Sequence, residues 1–292
     1  MLNKFPKAPD EHKPGRPLIP NGLGVIYILI SAIYLFIIHG LQTWIAEGWN
    51  KPSALTLASC ILFGGFMGLL DDWIDIRWRY KALLPLIAVI PLIVIREGET
   101  VMSTYFWGKI DFGLAYHFII VPIIVTVTTN VVNQLGGLNG LETICPSIIL
   151  TGLLITSIIH GREERILLYA PIAVSWLLSY YNFRGKIFVG NTGSFAFGIT
   201  LAAYAIITNI EQTLAISILP YVLNSSLILI NVLFLKRRPS LIINGPILKA
   251  SHRRSLVTLI AHYRPTTERK LVMMIALIIV IFTFLAVFIS LI

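Results

Sequence analysis

Three of the chain's five aspartates, Asp71, Asp72 and Asp75, crowd into LLDDWIDIRW, directly behind a long apolar run. A carboxylate next to hydrocarbon is expensive to keep charged, so such a cluster needs a reason. If the preceding helix continues, Asp71 and Asp75 are spaced i,i+4 and Asp72 and Asp75 i,i+3, so that two of the three can flank one site. Adjacent carboxylates repel and are eased by a divalent cation. Arg77, Arg79 and Lys81 follow within two turns, and cations there suit phosphates. A solvated charge cluster at an interfacial helix end accounts for a bare DDxxD equally well.

Three further polar segments carry chemistry. TNVVNQLGGLNGLE (129–142) holds three amides, Asn130, Asn133 and Asn139, around Gly136 and Gly137. Amides both donate and accept, which suits a nucleobase edge, a sugar hydroxyl or a metal, and glycines allow close backbone approach. Taken alone, ordinary turn punctuation is the simpler account, with Glu142 a partner for the next helix's dipole. In YNFRGKIFVGNTGSFAFG (181–198), a Gly-Asn-Thr-Gly-Ser turn opens a helix whose N-terminus is a ready anion site. Thr192 and Ser194 there are expected to be N-caps. The 236–270 segment holds nine basic residues and two histidines, His252 and His262, spaced too widely for a compact metal pair.

The elements that position these groups are membrane helices. The chain is 292 residues long, 56% hydrophobic and only 13% charged. A helix crosses a bilayer in roughly 20 apolar residues. Nine such segments are expected, at about 23–40, 53–70, 82–95, 114–130, 143–159, 166–181, 195–209, 212–235 and 271–291. The fold class is an all-α polytopic membrane protein, and residues 1–292 form one catalytic domain with 236–270 as a basic loop within it. Of the 23 Lys and Arg residues, 18 fall on the side holding the N-terminus, 71–81, 131–142, 182–194 and 236–270, and that bias puts this side in the cytoplasm. The net charge of +9 follows from the same bias and from anionic lipid headgroups, and no nucleic-acid partner is expected. Cys60 and Cys145 read as buried small residues with no disulfide or metal spacing.

Taken together, these motifs resemble the polyprenyl-phosphate N-acetylhexosamine-1-phosphate transferase superfamily. The likeness is strongest to the archaeal and eukaryotic UDP-GlcNAc:dolichyl-phosphate GlcNAc-1-phosphate transferase branch. DDWIDIRWRYKALLP is similar to that group's DD-x-x-x-x-LRWRHKLLLP, NVVNQLGGLNGLE to NAINILAGINGLE, YNFRGKIFVGNTGS to YNWYPSRVFVGDT, and DEHKPGRPLIPNGLG to a DLNK…IPES-x-G segment. The order is kept from about Asp10 to Arg238. The resemblance implies transfer of GlcNAc-1-phosphate from UDP-GlcNAc to a polyprenyl or dolichyl phosphate, releasing UMP, with Mg²⁺ or alternatively Mn²⁺. By position, Asp71 and Asp72 are the acidic pair near the lipid phosphate, either of which can orient or deprotonate it, and Lys81 holds the diphosphate. Asn133 and Asn191 flank the metal. Asn139, Gly136 and Phe188 receive uracil; Arg237, Asn21 and Lys13 fall in substrate-binding segments.

The departures are specific. Asn191 stands where the family usually has Asp, and an uncharged amide ligand should lower the affinity for the metal. Asn21 replaces a Glu, KRRPS (236–240) replaces HRIPR, and the related sequence has Asn where this one has Asp75. The resemblance implies that the family's first helix is absent, since this chain begins at the loop that follows it. The expected setting is a bilayer, the cell membrane of an archaeon or bacterium in preference to the endoplasmic reticulum, with a homodimer as one allowed assembly. The competing readings are a silent relative that still binds nucleotide sugar and an intramembrane prenyltransferase, which would need a second acidic motif.

Overall fold

The computed structural model describes residues 4–13, 15–45, 52–104, 108–234, 236 and 238–291. A small hairpin, β1 (Lys7–Pro9) with β2 (Leu18–Pro20), precedes α1 (Gly24–Ile45) and α2 (Ser53–Ile74). A single turn, α3 (Trp78–Lys81), leads into α4 (Pro85–Ile95), and a second hairpin follows, β3 (Val101–Thr104) with β4 (Gly108–Asp111). A π-helical turn opens α5 (Val121–Gln134); α6 (Leu141–Ile159), α7 (Tyr169–Phe183) and α8 (Gly190–Thr208) come next. Helices α9 (Glu211–Ser217) and α10 (Leu219–Leu233) form a pair bent by 55°. The chain then builds β5 (Ile242–Asn244), β6 (Ile247–Lys249), α11 (Leu256–Tyr263) and β7 (Thr266–Thr267) before α12 (Glu268–Ile289).

Among the described residues, eight helical segments are long and apolar enough to span a membrane, nine if the bent pair is one span. Each expected span has its counterpart. The third begins at Trp78 because α3 continues it, and the seventh begins at Gly190, inside the glycine turn. The fold is a helical membrane bundle, but small antiparallel sheets decorate its ends, the last in the order β5-β6-β7. Their strands have two to four residues, too short for a period-2 pattern to show in sequence.

Helix α8 is the axis of the bundle. Of its most apolar stretch 89% is buried, against 61% or less for the other described spans. It packs against α1, α2, α5 and α6. Helices in lipid gain little from the hydrophobic effect and associate through close packing at small residues. The glycines do this here. A Cβ on Gly68 of α2 would overlap the Asn191 carbonyl, and one on Gly198 would lie 2.6 Å from Thr129 Cα of α5. Gly24 of α1 meets the Gly193 backbone just as closely. The end of α2 is thereby laid directly against the start of α8.

Gly68→Ala should therefore destabilise the protein by about 1–3 kcal/mol, the range for overpacking a tight contact. Gly40→Ala, where a Cβ meets open space, should not. Thermal unfolding of the two variants in the same detergent checks the difference.

Candidate active site

Asp71 is 3% exposed. Its Oδ2 lies 2.5 Å from Lys81 Nζ, and its Oδ1 accepts the Ile76 N–H at 3.2 Å, closing the chain after α2. Lys81 Nζ also donates to Asn191 Oδ1 at 3.1 Å and stands 5.7 Å from the centre of the Phe195 ring. Asp75 departs from the expected helical spacing. Helix α2 ends at Ile74, and Asp75 is an exposed C-cap in the left-handed region (φ 51°), its N–H donating to the Asp71 carbonyl at 3.0 Å. The three acids therefore do not continue one helical face.

Asp72 reaches across to α8. Its Oδ1 accepts the Asn191 N–H at 2.9 Å, and its Oδ2 accepts the Thr192 N–H at 3.0 Å and the Thr192 hydroxyl at 2.7 Å. A helix N-terminus offers unpaired N–H groups and a partial positive charge, and a carboxylate satisfies both. This corrects two expectations. The anion at this N-terminus is the protein's own Asp72, so those N–H groups are not free for a phosphate. Thr192 and Ser194 are not N-caps: Thr192 binds Asp72, while the Ser194 hydroxyl donates to Asn133 Oδ1 at 2.6 Å.

The 135–140 turn is shaped by glycines and held by side chains from elsewhere. Gly137 (φ 89°) donates its N–H to Glu142 Oε1 at 2.9 Å, and Gly140 (φ 101°) donates to Asn182 Oδ1 at 2.8 Å. Gly136 lies so close to Glu142 that a Cβ would fall 2.6 Å from its Oε1. Asn130 is engaged in packing, its Nδ2 donating to the Thr126 and Ala82 carbonyls. Asn139 is 4% exposed. Its Nδ2 donates to Asp10 Oδ2 and Glu268 Oε1, each at 2.8 Å, and its backbone N–H donates to the same Glu268 oxygen. Asn139 Oδ1 is buried without a hydrogen-bond partner among the described residues.

Asp10 also pairs with Lys13 Nζ at 2.7 Å. Burial raises the Asp10 carboxyl, but hydrogen bonds from Lys13 and Asn139 and the Lys13 charge outweigh it, leaving the group below its ordinary 3.8. The N-terminal hairpin is further sewn to the α7–α8 turn: Leu23 and Gly24 donate to the Phe188 and Val189 carbonyls, and Phe188 donates to Pro20.

These segments enclose a cavity of about 380 Å³. Asn21, Asp72, Asn133, Gly136, Phe188 and Asn191 line it, joined by Glu142, Gln134, His12 and Asn182. Asp71, Lys81, Asn139 and Lys13 stand behind that wall, connected to it by the contacts above. Arg237 lies outside the described residues. Glu268 escapes a reading of motifs, and Asp10, though it opens the DEHKPGRPLIPNGLG segment, is not singled out there, because the partner Asn139 is 129 residues from each.

Hard oxygens that could hold a metal stand on the cavity wall, on Asn133, Asn191 and Asp72, with the Glu142 carboxylate also on that wall. Among the described residues no three His, Cys, Asp or Glu side chains group as a metal site. Oxygens of this kind would suit a hard cation that keeps some of its waters, such as Mg²⁺, rather than a soft one.

A glycosyl transferase family 4 profile matches residues 54–209, the stretch that carries α2, the Asn-Gly turn and α8. The chain belongs to glycosyl transferase family 4. The relatives it matches include proteins of two names. A Saccharolobus solfataricus protein, provisionally named a UDP-N-acetylglucosamine–dolichyl-phosphate N-acetylglucosaminephosphotransferase, is 33% identical over 73% of this chain and 66% of its own length. The Dictyostelium discoideum protein of that name is 26% identical over 74% of this chain and 62% of its own. A phospho-N-acetylmuramoyl-pentapeptide-transferase from Streptococcus uberis is 27% identical over 74% of this chain and 68% of its own. The chain thus spans about two thirds of the length of these relatives.

Two outcomes follow from the site's contacts. Lys81→Met strands the buried Asp71 carboxylate and should cost about 3–5 kcal/mol, while the double variant Lys81→Met/Asp71→Asn should regain much of that stability; paired denaturation midpoints decide it. Because the Asp10 group is depressed, its stabilising contribution is complete above 3.8 and is lost as pH falls through the folded value. Asp10→Asn should therefore lower the melting temperature by a constant amount from about pH 5 to 8, with the gap closing only in more acidic buffer.

Proposed function

We propose that this protein transfers an N-acetylhexosamine 1-phosphate, with UDP-GlcNAc as donor, to a polyprenyl phosphate of the dolichyl type, releasing UMP. The observation that carries the reading is the polar cavity at the end of a membrane bundle, walled by Asp72, the Asn133–Ser194 pair and the Gly136–Gly137 turn, with the Asp71–Lys81 pair beside it. Family membership and the names borne by the relatives support the reaction class. The Lys and Arg bias supports a cytoplasmic position for this end, where a lipid phosphate at the bilayer edge meets a soluble nucleotide. The membrane is the cell membrane in an archaeon or bacterium, and the reaction would open a lipid-linked glycan pathway.

In the proposed reaction a lipid phosphate oxygen attacks the β-phosphorus of the nucleotide sugar. One P–O bond forms, the P–O bond to the α-phosphate breaks, and UMP leaves with that oxygen. A phosphate monoester has its second pKa near about 6, so the nucleophile is largely deprotonated at neutral pH and needs no strong base. What it needs is placement and neutralised charge. Lys81, anchored on Asp71, presents its ammonium beside the wall. Asp72 fixes the start of α8, and with it Asn191 and the approach to Phe188. The half-buried Phe188 ring and the Gly136–Gly137 backbone offer a flat, close surface suited to a pyrimidine. Mg²⁺ held by Asn133, Asn191 and Asp72 would neutralise charge on the diphosphate.

One observation favours a second reading, nucleotide-sugar binding without turnover: Asn191 carries no charge and its Oδ1 already accepts from Lys81. UMP release from purified protein given UDP-GlcNAc, polyprenyl phosphate and Mg²⁺ separates the two, and mass spectrometry of the lipid product names the sugar. Turnover is expected, is lost with chelator, and falls at least about a hundredfold in Asp72→Asn, which turns an acceptor of three hydrogen bonds into a mismatched amide. Folded wild type that binds UDP-GlcNAc yet releases no UMP would leave the binding-only reading. Asn191→Asp should lower the Mg²⁺ concentration needed for half-maximal rate several-fold, since it adds a charged ligand.

A further inference from the structure

A groove of about 810 Å³ runs along the start of α12 and shares no lining residue with the polar cavity. Arg264, Arg269 and Lys270 stand at one end of it, and Met273, Met274 and Leu277 form the rest of its floor along α12. Met273 and Leu277 are one helical turn apart and 55% and 58% exposed, so this floor is open to an occupant. Because α12 is long and apolar enough to span a membrane, the floor faces hydrocarbon and the cations stand at the end of the span.

The cations carry an uncompensated charge. Among the described residues none of the three is in an ion pair. The acid beside them in sequence, Glu268, is engaged with Asn139 and does not line the groove. Arg269 and Lys270 are the second and third residues of α12, where the helix's partial positive charge disfavours cations. Thr267, the N-cap, makes no side-chain hydrogen bond to the first turn. Arg269 is steadied from α7, its guanidinium carbon 5.9 Å from the centre of the Phe183 ring. Like charges gathered at a helix N-terminus are relieved by an anion, and the apolar floor requires that the anion carry a hydrocarbon chain. Free phosphate would leave the floor uncovered, and a zwitterionic lipid would bring a cation of its own to three others.

We propose that this groove binds one anionic phospholipid of the surrounding bilayer, its phosphate among Arg264, Arg269 and Lys270 and one chain along Met273 and Leu277. The site has a consequence for the polar cavity. Glu268 Oε1 accepts both the backbone and the side-chain N–H of Asn139, each at 2.8 Å, from the first position of α12. A phosphate that neutralises the next two residues steadies that first turn and, through Glu268, the Asn-Gly turn. Bilayer charge is thereby coupled to the order of the 135–140 segment, whatever reaction the cavity supports.

Native mass spectrometry of the full chain released from nanodiscs of equal phosphatidylglycerol and phosphatidylcholine tests the site. Wild type should retain one phosphatidylglycerol in clear excess. Arg264→Gln/Arg269→Gln/Lys270→Gln should lower that retention at least about tenfold, since one cation near an anionic surface is worth about a fivefold gain in affinity. Met273→Trp, which crowds the floor and keeps the charges, should lower it too. Lys4→Gln/Lys7→Gln/Lys249→Gln, which removes three exposed cations elsewhere, should leave it unchanged. Hydrogen exchange of the peptide carrying the Asn139 amide should be at least about threefold slower in phosphatidylglycerol than in phosphatidylcholine nanodiscs, and the difference should vanish in the groove variant. Retention that survives in the groove variant, or that falls equally in the Lys4, Lys7 and Lys249 variant, overturns the inference. So does displacement of the retained lipid by polyprenyl phosphate at matched concentration, which would give the groove to the acceptor. Exchange at Asn139 that ignores lipid charge overturns the coupling.

Discussion

The site depends on one contact: the Asp72 carboxylate seated on the first turn of α8. Three donors from Asn191 and Thr192 converge on it, and charge-assisted bonds at a helix N-terminus are among the stronger ones available. Gly68, one turn earlier on α2, makes the approach sterically open. Once α2 and α8 are fastened there, Asp71 is placed one residue back, buried, within reach of Lys81. Lys81 then spans from Asp71 to Asn191. One helix-end contact thus sets both acids, the lysine and a wall of the cavity. With the Asn191 and Thr192 N–H groups occupied by Asp72, this helix end does not offer them to an anionic ligand.

Amides do most of the remaining construction. Asn182 accepts from Gly140 and donates to the Ile187 carbonyl, tying the Asn-Gly turn to the segment before α8. Asn133 receives Ser194, and Asn224 receives the first N–H of α11. An amide offers donor and acceptor together and avoids the desolvation cost of a charge, an advantage where the polar layer meets hydrocarbon. Asn139 goes further, because its NH₂ is divided between Asp10 and Glu268. Residues from the N-terminal hairpin and from the start of α12 close on the same amide, so the site is assembled from both ends of the described chain.

The membrane spans are legible in the sequence because an apolar run long enough to cross a bilayer is rare in a chain that folds in water. The acid pair, Lys81, Asn133 and Asn191 are legible because they sit in short segments of unusual polarity. Other features leave no such trace. The hairpins escape because strands of two to four residues carry no period. Asp72's attachment escapes because its partners lie 119 and 120 residues away. Thr192 reads as a cap for its own helix because sequence shows only the local option, while the tertiary partner is stronger. Glu268 stands at the end of a basic stretch like a counter-charge, though its oxygen serves Asn139 on another element.

Asp75 and Asn191 show how charge is misplaced when residue types are read without geometry. By sequence Asp75 is one of three acids, two of which can flank one site. Its backbone is left-handed at the end of α2 and its side chain is exposed. Asp and Asn are the non-glycine residues that enter that region most readily, which is why Asn can stand at this position in a related sequence. An aspartate at 191 would set two carboxylates on one Lys81 ammonium. With Asn191, Lys81 has Asp71 as its charged partner and a neutral amide oxygen as the other. Relative to an aspartate, Asn191 leaves the wall with one negative charge fewer. In the proposed reaction, where a metal would arrive with the nucleotide, that missing charge would weaken the hold on the cation and strengthen the attraction for the diphosphate, two opposing effects on one bound complex.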